Sequence, residues 1–319
     1  MPEKKIKLII QIPCYNEAGT LAVALTALPR EVPGVDVVEW LVIDDGSTDD
    51  TVAVAKACGV DHIVRHSTNR GLAAGFMTGI NAALEAGADI IVNTDADNQY
   101  CADDIPALVA PILNGEAQYV IGARPIAEIA HFSPLKKLLQ KFGSFMVRKF
   151  SGTDVQDAPS GFRAMSRETA LRLNVFSDYT YTLETIIQAG SKNLVIKNVP
   201  VRVNEELRPS RLFKSIPAYI KRSVFTMIRI FVVYQPFRFF FTIGSVLFLL
   251  GMVGGCRFLW YFFVLGNSSG KLQSLILTTI LLLMGTISIM IAFVADLLAV
   301  NRKLLEEIRY NQRRNMFGK

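Results

Sequence analysis

Two carboxylates stand two residues apart in Thr94-Asp95-Ala96-Asp97-Asn98-Gln99, directly after the apolar run Ile90 to Val92. At that spacing they can share one hard divalent cation and leave its remaining positions to diphosphate oxygens and water. The metal would neutralise the charge that builds on a departing nucleoside diphosphate, acting as a Lewis acid at the leaving group. An Asp-x-Asp triplet also occurs in ordinary solvated loops, so the rest of the chain decides its weight.

Five further polar segments accompany it. Pro13-Cys14-Tyr15-Asn16-Glu17 closes one apolar run and Asp44-Asp45-Gly46-Ser47-Thr48-Asp49 closes the next. Each loop opens a helical pattern, whose first amides favour anions, and a carboxylate at a strand end can accept hydrogen bonds from a ribose or base. Asp45-Gly46-Ser47 is equally an ordinary turn with Ser47 or Thr48 as helix cap. Asn69-Arg70-Gly71-Leu72 enters a glycine-rich helix, and Gly122-Ala123-Arg124 offers an arginine that can grip phosphate in a forked geometry. Asp157 to Arg163 puts a carboxylate and a guanidinium on one tight loop.

In this order PCYNE, DDGSTD, NRGLAAG, TDADNQ, GAR and DAPSGFR resemble family 2 glycosyltransferases of the GT-A fold. Within that family the resemblance is to the polyisoprenyl-phosphate glycosyltransferases, which include dolichyl-phosphate mannose synthases and bacterial GtrB-type glucosyltransferases. The resemblance implies that Pro13, Tyr15, Glu17 and Asp44 hold the nucleoside, with Asp44 facing its base. It implies that Asp95, Asp97 and Gln99 hold Mg²⁺ or Mn²⁺ with the donor diphosphate, Ala96 lying between the two carboxylates. Arg124 would meet a phosphate near the acceptor, joined by Lys136 and Arg163, with Lys137 a weaker candidate. Arg208 and Arg211 sit where relatives carry a basic loop over the donor phosphates; contacts with a membrane surface are the alternative.

Asp157 is read as a base or as an orienting group. A lipid phosphate is already largely anionic near neutral pH, with a second pKa of about 6 for a phosphate monoester, so it hardly needs a base. The reaction expected is in-line displacement at the anomeric carbon, aided by Asp97, the metal and cationic side chains. The resemblance adds inversion, giving a β-linked sugar phosphate lipid. UDP-glucose is the favoured donor, GDP-mannose the alternative, and undecaprenyl phosphate the fitting acceptor.

Elements must hold these loops. Lys7 to Ile12, Trp40 to Ile43, Ile63 to Val64, Ile90 to Val92, Tyr119 to Ile121 and Leu194 to Val199 have strand character. Between them Leu21 to Leu28, Thr51 to Cys58, Leu72 to Ala86, Asp104 to Leu113 and Leu135 to Phe150 have helical character. The alternation predicts an α/β domain of three layers with a mainly parallel, Rossmann-like sheet over residues 1–210. Motifs at the carboxyl ends of strands lie where open sheets of this kind bind ligands.

The second part of the chain differs in kind. Of 34 basic and 28 acidic residues, 18 and 23 fall before residue 200, so the halves carry net charges of about −5 and +11. Phe239 to Leu265 and Leu272 to Val300 are apolar stretches, each longer than the about 20 residues that cross a bilayer. With 51% apolar residues and a mean hydropathy of +0.32, a two-span membrane domain over 236–319 is expected, ending in a basic tail. Basic residues flank the pair of spans on the outside and the turn between them holds one lysine, which places the catalytic domain and both termini in the cytoplasm of a plasma or inner membrane. Over 211–235, Leu212, Ile216, Ile220, Val224, Met227 and Phe231 recur at helical spacing beside Lys214, Lys221, Arg222 and Arg229, the pattern of an interfacial amphipathic helix. Gly244, Gly251, Gly254 and Gly255 give the first span close-packing surfaces for homo-oligomers or for pairing within one chain.

Positive charge that flanks apolar runs suits lipid headgroups and argues against nucleic acid. Cys14, Cys58, Cys101 and Cys256 show no metal-ligand spacing and read as reduced thiols. Leu8 to Ile12 is too short, and cut by Pro13, for a signal peptide. A processive polysaccharide synthase would carry Gln-x-x-Arg-Trp, and neither Trp40 nor Trp260 stands in that pattern. A non-catalytic scaffold of the same fold would have little reason to keep Asp95, Asp97, Glu17, Asp157 and Arg124 together.

Overall fold

A computed structural model describes residues 5–125, 143–149, 151–175, 181–205, 225, 228–229, 231–264 and 272–317. Strand β1 (Lys7–Cys14) is buried along almost its whole length, because its side chains alternate between two apolar layers. Leu8, Ile10 and Ile12 join Leu21 and Leu25 of α1 (Ala18–Ala27) and Ile105, Leu108 and Val109 of α4 (Ile105–Leu113). Ile9 faces the other way, into Phe76 and Ile80 of α3 (Leu72–Glu85). A strand covered on both faces reads as the near-continuous apolar run seen in the sequence, interrupted by Gln11.

Strands β2 (Val37–Asp44), β3 (His62–Arg65), β4 (Ile90–Asn93), β5 (Tyr119–Ala123), β6 (Arg163–Ser166) and β7 (Ile196–Pro200) complete a sheet of order β3-β2-β1-β4-β6-β5-β7. All pairings are parallel except those of β6 with β4 and β5. The chain runs outward from β1 through β2 to β3 and then returns to β4 on the other side of β1. That reversal opens a crevice between the carboxyl ends of β1 and β4, where Tyr15 and Asp95 lie just beyond the strands.

The expected α/β domain with its mainly parallel sheet is present, and each expected strand is found. Strand β6 and the short helices α5 (Arg167–Arg172) and α6 (Thr182–Ser191) are additions. The segment 157–163, expected as one loop, ends in a strand, because Arg163 pairs in register with Asn93 of β4 and Ile121 of β5. Of the helix expected over Leu135 to Phe150, residues 143–149 are helical and 135–142 lie outside the described residues.

The chain divides into two units, 1–223 with 308–319, and 224–307. In the second unit α7 (Pro236–Phe263) pairs with the first part of α8 (Leu272–Phe317). A side chain at Gly244 would meet Ile289 at 2.8 Å and one at Gly251 would meet Leu282 at 2.8 Å, so these glycines serve contacts within one chain. Both helices are long and apolar enough to cross a membrane, and Val253 and Phe263, 68% and 76% exposed, show how much apolar surface the pair leaves uncovered.

Helix α8 does not stop near residue 300. The sequence beyond Val300 is rich in Leu, Glu, Arg, Lys and Asn with no proline or glycine before Phe317, so the expected tail continues as helix. Its last turns belong to the first unit. There Arg313 Nη1 donates to the carbonyl of Leu173 (2.8 Å), Tyr310 OH donates to Glu168 (2.9 Å), and Tyr310 joins the apolar layer of Phe76 and Ile80. The amphipathic helix expected over 211–235 lies largely outside the described residues, within which 231–234 are helical.

Candidate active site

The loops after β1 and β2 are tied to each other. Asn16 N donates to Ser47 Oγ (2.9 Å), Glu17 N to Thr51 Oγ1 (2.9 Å) and Ala18 N to Asp49 Oδ2 (3.1 Å). The amides that lead into α1 are thus spent on the neighbouring loop, that of Ala18 on the Asp49 carboxylate. Neither Ser47 nor Thr48 caps α2 (Thr51–Ala57); Asp49 Oδ1 accepts Thr51 N instead. Gly46 turns the loop at φ +74, and a side chain there would strike the Thr68 backbone at 2.7 Å.

Asp44 ends β2 wholly buried, and its Oδ1 accepts Ser47 N (3.1 Å). Arg65 Nε stands 3.0 Å from Oδ2 without the alignment of a hydrogen bond, so the charge is balanced while that acceptor is unspent. A base that presents an N–H is the kind of partner such an oxygen can take. The adjacent Asp45 is instead fully occupied. Its Oδ1 takes His66 Nδ1 (2.7 Å) and Arg70 N (2.8 Å), and its Oδ2 takes Gly71 N (2.8 Å), clipping the Asn69-Arg70-Gly71 loop in place. Tyr15 is 43% exposed at the mouth of the crevice, Pro13 is the penultimate residue of β1, and Glu17 accepts the Thr20 hydroxyl (2.9 Å).

Beyond β4, Asp95 and Asp97 are half-buried and Ala96 is buried in the core, so the two carboxylates share one side of the turn. Burial first, and then the Asp97 charge, push the Asp95 carboxyl up to about 7. The positive fields of Arg124 and Arg163 oppose that rise. Asp97 Oδ1 accepts Gln99 N (3.1 Å), a turn that Asn98 allows by adopting φ +56. Gly161 backs the site, since a side chain there would lie 3.1 Å from both Asp95 oxygens. Two crowded carboxylates made of hard oxygen donors fit a divalent cation, and among the described residues no third acidic, His or Cys side chain completes a protein-only cage.

Arg124 and Asp157 are both nearly closed to solvent. Arg124 donates Nε to Asp157 Oδ2 (2.6 Å) and Nη2 to Oδ1 (3.1 Å). The fork expected to grip a phosphate is therefore taken up by Asp157, and both oxygens of Asp157 accept from Arg124. Arg163 also departs from expectation. It is wholly buried, with its donors spent on Ser160 O, Ala158 O, Tyr119 OH, Thr182 O and Thr185 Oγ1, so it does not face an acceptor phosphate. Lys136, Lys137, Arg208 and Arg211 lie outside the described residues.

A buried polar chain under Asp95 escaped the motif reading. Gln11 Nε2 donates to Asn93 Oδ1 (2.8 Å), while Asn93 Nδ2 donates to Gly161 O (2.8 Å) and Tyr181 OH (2.9 Å). Tyr100 OH accepts Gly161 N (2.9 Å). Gln11 and Asn93 are polar residues inside otherwise apolar buried strands, and that mismatch is the signal that could have found them.

A crevice at the sheet's switch point, a buried carboxylate on one side and a carboxylate pair on the other, defines a glycosyltransferase of the GT-A fold. The chain belongs to glycosyl transferase family 2, whose family model matches residues 9–172. It is 32% identical to the UDP-N-acetylglucosamine–dolichyl-phosphate N-acetylglucosaminyltransferase of Methanococcus voltae, over 63% of this chain and 86% of that protein. It is 28% identical to the undecaprenyl-phosphate mannosyltransferase of Micrococcus luteus, over 65% and 88%. In fold it is similar to glucosyl-3-phosphoglycerate synthase of Mycobacterium tuberculosis, solved with Mn²⁺, UDP and glucosyl-3-phosphoglycerate, with a TM-score of 0.56 over 71% of this chain and 79% of that one. At 22% identity that last likeness concerns the fold alone.

Proposed function

We propose that the enzyme transfers a hexose, with inversion, from a nucleotide-sugar to a polyisoprenyl phosphate in the membrane, using Mg²⁺ or Mn²⁺. The observation that carries this reading is the position of Asp95 and Asp97 across one crevice from the buried Asp44. A donor seated there has its base at Asp44 and its diphosphate at the carboxylate pair. Asp95 and Asp97, with Gln99, would hold the metal, which would supply charge neutralisation for the leaving nucleoside diphosphate. Asp157 orients Arg124, and Arg124 contributes fixed positive charge beside the diphosphate at little reorganisation cost.

The two apolar helices support a lipid acceptor, as do the relatives named for dolichyl and undecaprenyl phosphate carriers. We place the catalytic domain and both termini on the cytoplasmic side, on the charge asymmetry around the spans. The uridine nucleotide in the name of the Methanococcus relative supports a UDP-sugar over GDP-mannose, and the resemblance of the two-span layout to GtrB-type glucosyltransferases is what favours UDP-glucose among them. The test is incubation of the membrane-embedded protein with undecaprenyl phosphate and labelled UDP-glucose, UDP-N-acetylglucosamine or GDP-mannose. Label from UDP-glucose in the organic phase supports the reading; label from another donor reassigns the sugar, and no label from any donor sinks the acceptor.

A further inference from the structure

We infer that Arg163 is a positioning residue for the metal–diphosphate site, a role that rests on the proposed function and goes beyond it. Its guanidinium reaches five acceptors within the first unit. Nε donates to Ser160 O (2.7 Å) and Nη2 to Ala158 O (2.8 Å), so two carbonyls of the turn between Asp157 and Gly161 are pinned from inside. Nη1 lies within hydrogen-bond reach of Tyr119 OH (2.8 Å), Thr182 O (2.8 Å) and Thr185 Oγ1 (2.7 Å). The turn is thereby fastened to β5 and to the start of α6.

What this turn carries makes the fastening functional. At one end Asp157 holds Arg124 through two side-chain hydrogen bonds and one from the Arg124 backbone amide. At the other, Gly161 stands so close to Asp95 that a side chain would lie 3.1 Å from both carboxylate oxygens. Tyr100 and Asn93 fix the two faces of the Gly161 backbone, at 2.9 Å and 2.8 Å. A shift of the turn moves Arg124 and the wall of the Asp95 carboxylate together. Arg163 makes no ion pair with a carboxylate among the described residues; its acceptors are carbonyls and hydroxyls. Its planar fork, which a lysine cannot reproduce, is the property in use.

The test compares wild type with Arg163→Lys in the full-length protein, measuring UDP affinity by calorimetry with and without Mn²⁺, and the melting temperature. In wild type Mn²⁺ tightens UDP binding. In Arg163→Lys that Mn²⁺-dependent gain falls by about tenfold, the loss a mis-set ligand arrangement brings, while affinity for UDP without metal stays within about twofold. A lower melting temperature with the full Mn²⁺-dependent gain retained overturns the inference, because a purely structural arginine would do that. Should Arg163→Lys fail to fold, Tyr119→Phe combined with Thr185→Val removes two acceptors and keeps the charge. That pair is expected to lower the same gain about threefold, and an unchanged gain overturns the inference. Wild type that binds UDP equally with and without Mn²⁺ overturns the proposed function itself, and the inference with it.

Discussion

Arg124 and Asp157 form a closed pair, Nε to Oδ2 at 2.6 Å and Nη2 to Oδ1 at 3.1 Å, with neither side chain more than 6% exposed. Breaking such a pair leaves an uncompensated buried charge. Asp157→Ala and Arg124→Ala are each expected to destabilise the catalytic domain by about 3–5 kcal/mol, while the double substitution costs less than the sum. Denaturant melts of the three variants check this. Additive losses would show that the two side chains do not depend on one another.

Asp95 gives the metal-free enzyme a pH signature. Its folded pKa, pushed up to about 7, exceeds the ordinary 3.8, so the folded protein keeps a proton that the unfolded chain has released. Stability of the metal-free protein therefore falls as pH rises from about 4 to about 7 and levels off above. Each kcal/mol lost lowers the melting temperature by about 2–4 °C for a unit of this size. Asp95→Asn at pH 8 without metal is expected to melt above wild type while losing transfer. A wild-type profile flat across that window would contradict the crowding of Asp95 by Asp97.

The Asp45 clip should act on the donor side without touching the reacting atoms. Asp45→Ala strips an acceptor from the buried His66, where an unsatisfied donor costs about 1–3 kcal/mol, and from the amides of Arg70 and Gly71, which water can partly satisfy. Looser donor binding, seen as a raised KM, is expected together with a lowered melting temperature. A normal KM would show that the 69–71 loop takes no part in holding the donor.

Gly46→Ala forces a side chain into a left-handed residue and against the Thr68 backbone, at 2.7 Å. Backbone strain of this kind costs about 1–3 kcal/mol before the clash is counted. Thermal melts read it directly, and an alanine variant as stable as wild type would mean that the loop relaxes away from Thr68.

The end of α8 belongs to the catalytic unit. Tyr310→Phe removes one hydrogen bond to Glu168 and should cost about 1 kcal/mol. Arg313→Ala, which empties a largely buried site bonded to the Leu173 carbonyl, should cost more and expose the last turns of the helix to protease. Equal protease resistance in both proteins would argue that the helix end only rests there.

What the sequence made legible followed from local pattern. Strand β1 shows itself because Leu8 to Ile12 are apolar on both faces but for Gln11, and the carboxylate triplet because a strand end precedes it. Strand β6 stayed hidden: Arg-Ala-Met-Ser is four residues long and opens with a charge. Arg163 reads locally as a ligand for phosphate, since nothing within a few residues shows that Tyr119 and Thr185 surround it. Asp157 and Arg124 were both singled out, but their partnership spans 33 residues and only the fold closes it. The full extent of α8 is not legible from hydropathy, which marks where a span ends, while the helix continues through Leu304, Glu306 and Tyr310.

The most direct test of metal-assisted transfer is the rate of labelled sugar passing from UDP-glucose into the organic phase with undecaprenyl phosphate, with and without Mn²⁺, for wild type and Asp97→Ala. Metal-dependent transfer by wild type that falls by at least about 10²-fold in Asp97→Ala is the expected result. Equal transfer by the two proteins, or wild-type transfer indifferent to chelation of the metal, would contradict the role assigned to the carboxylate pair.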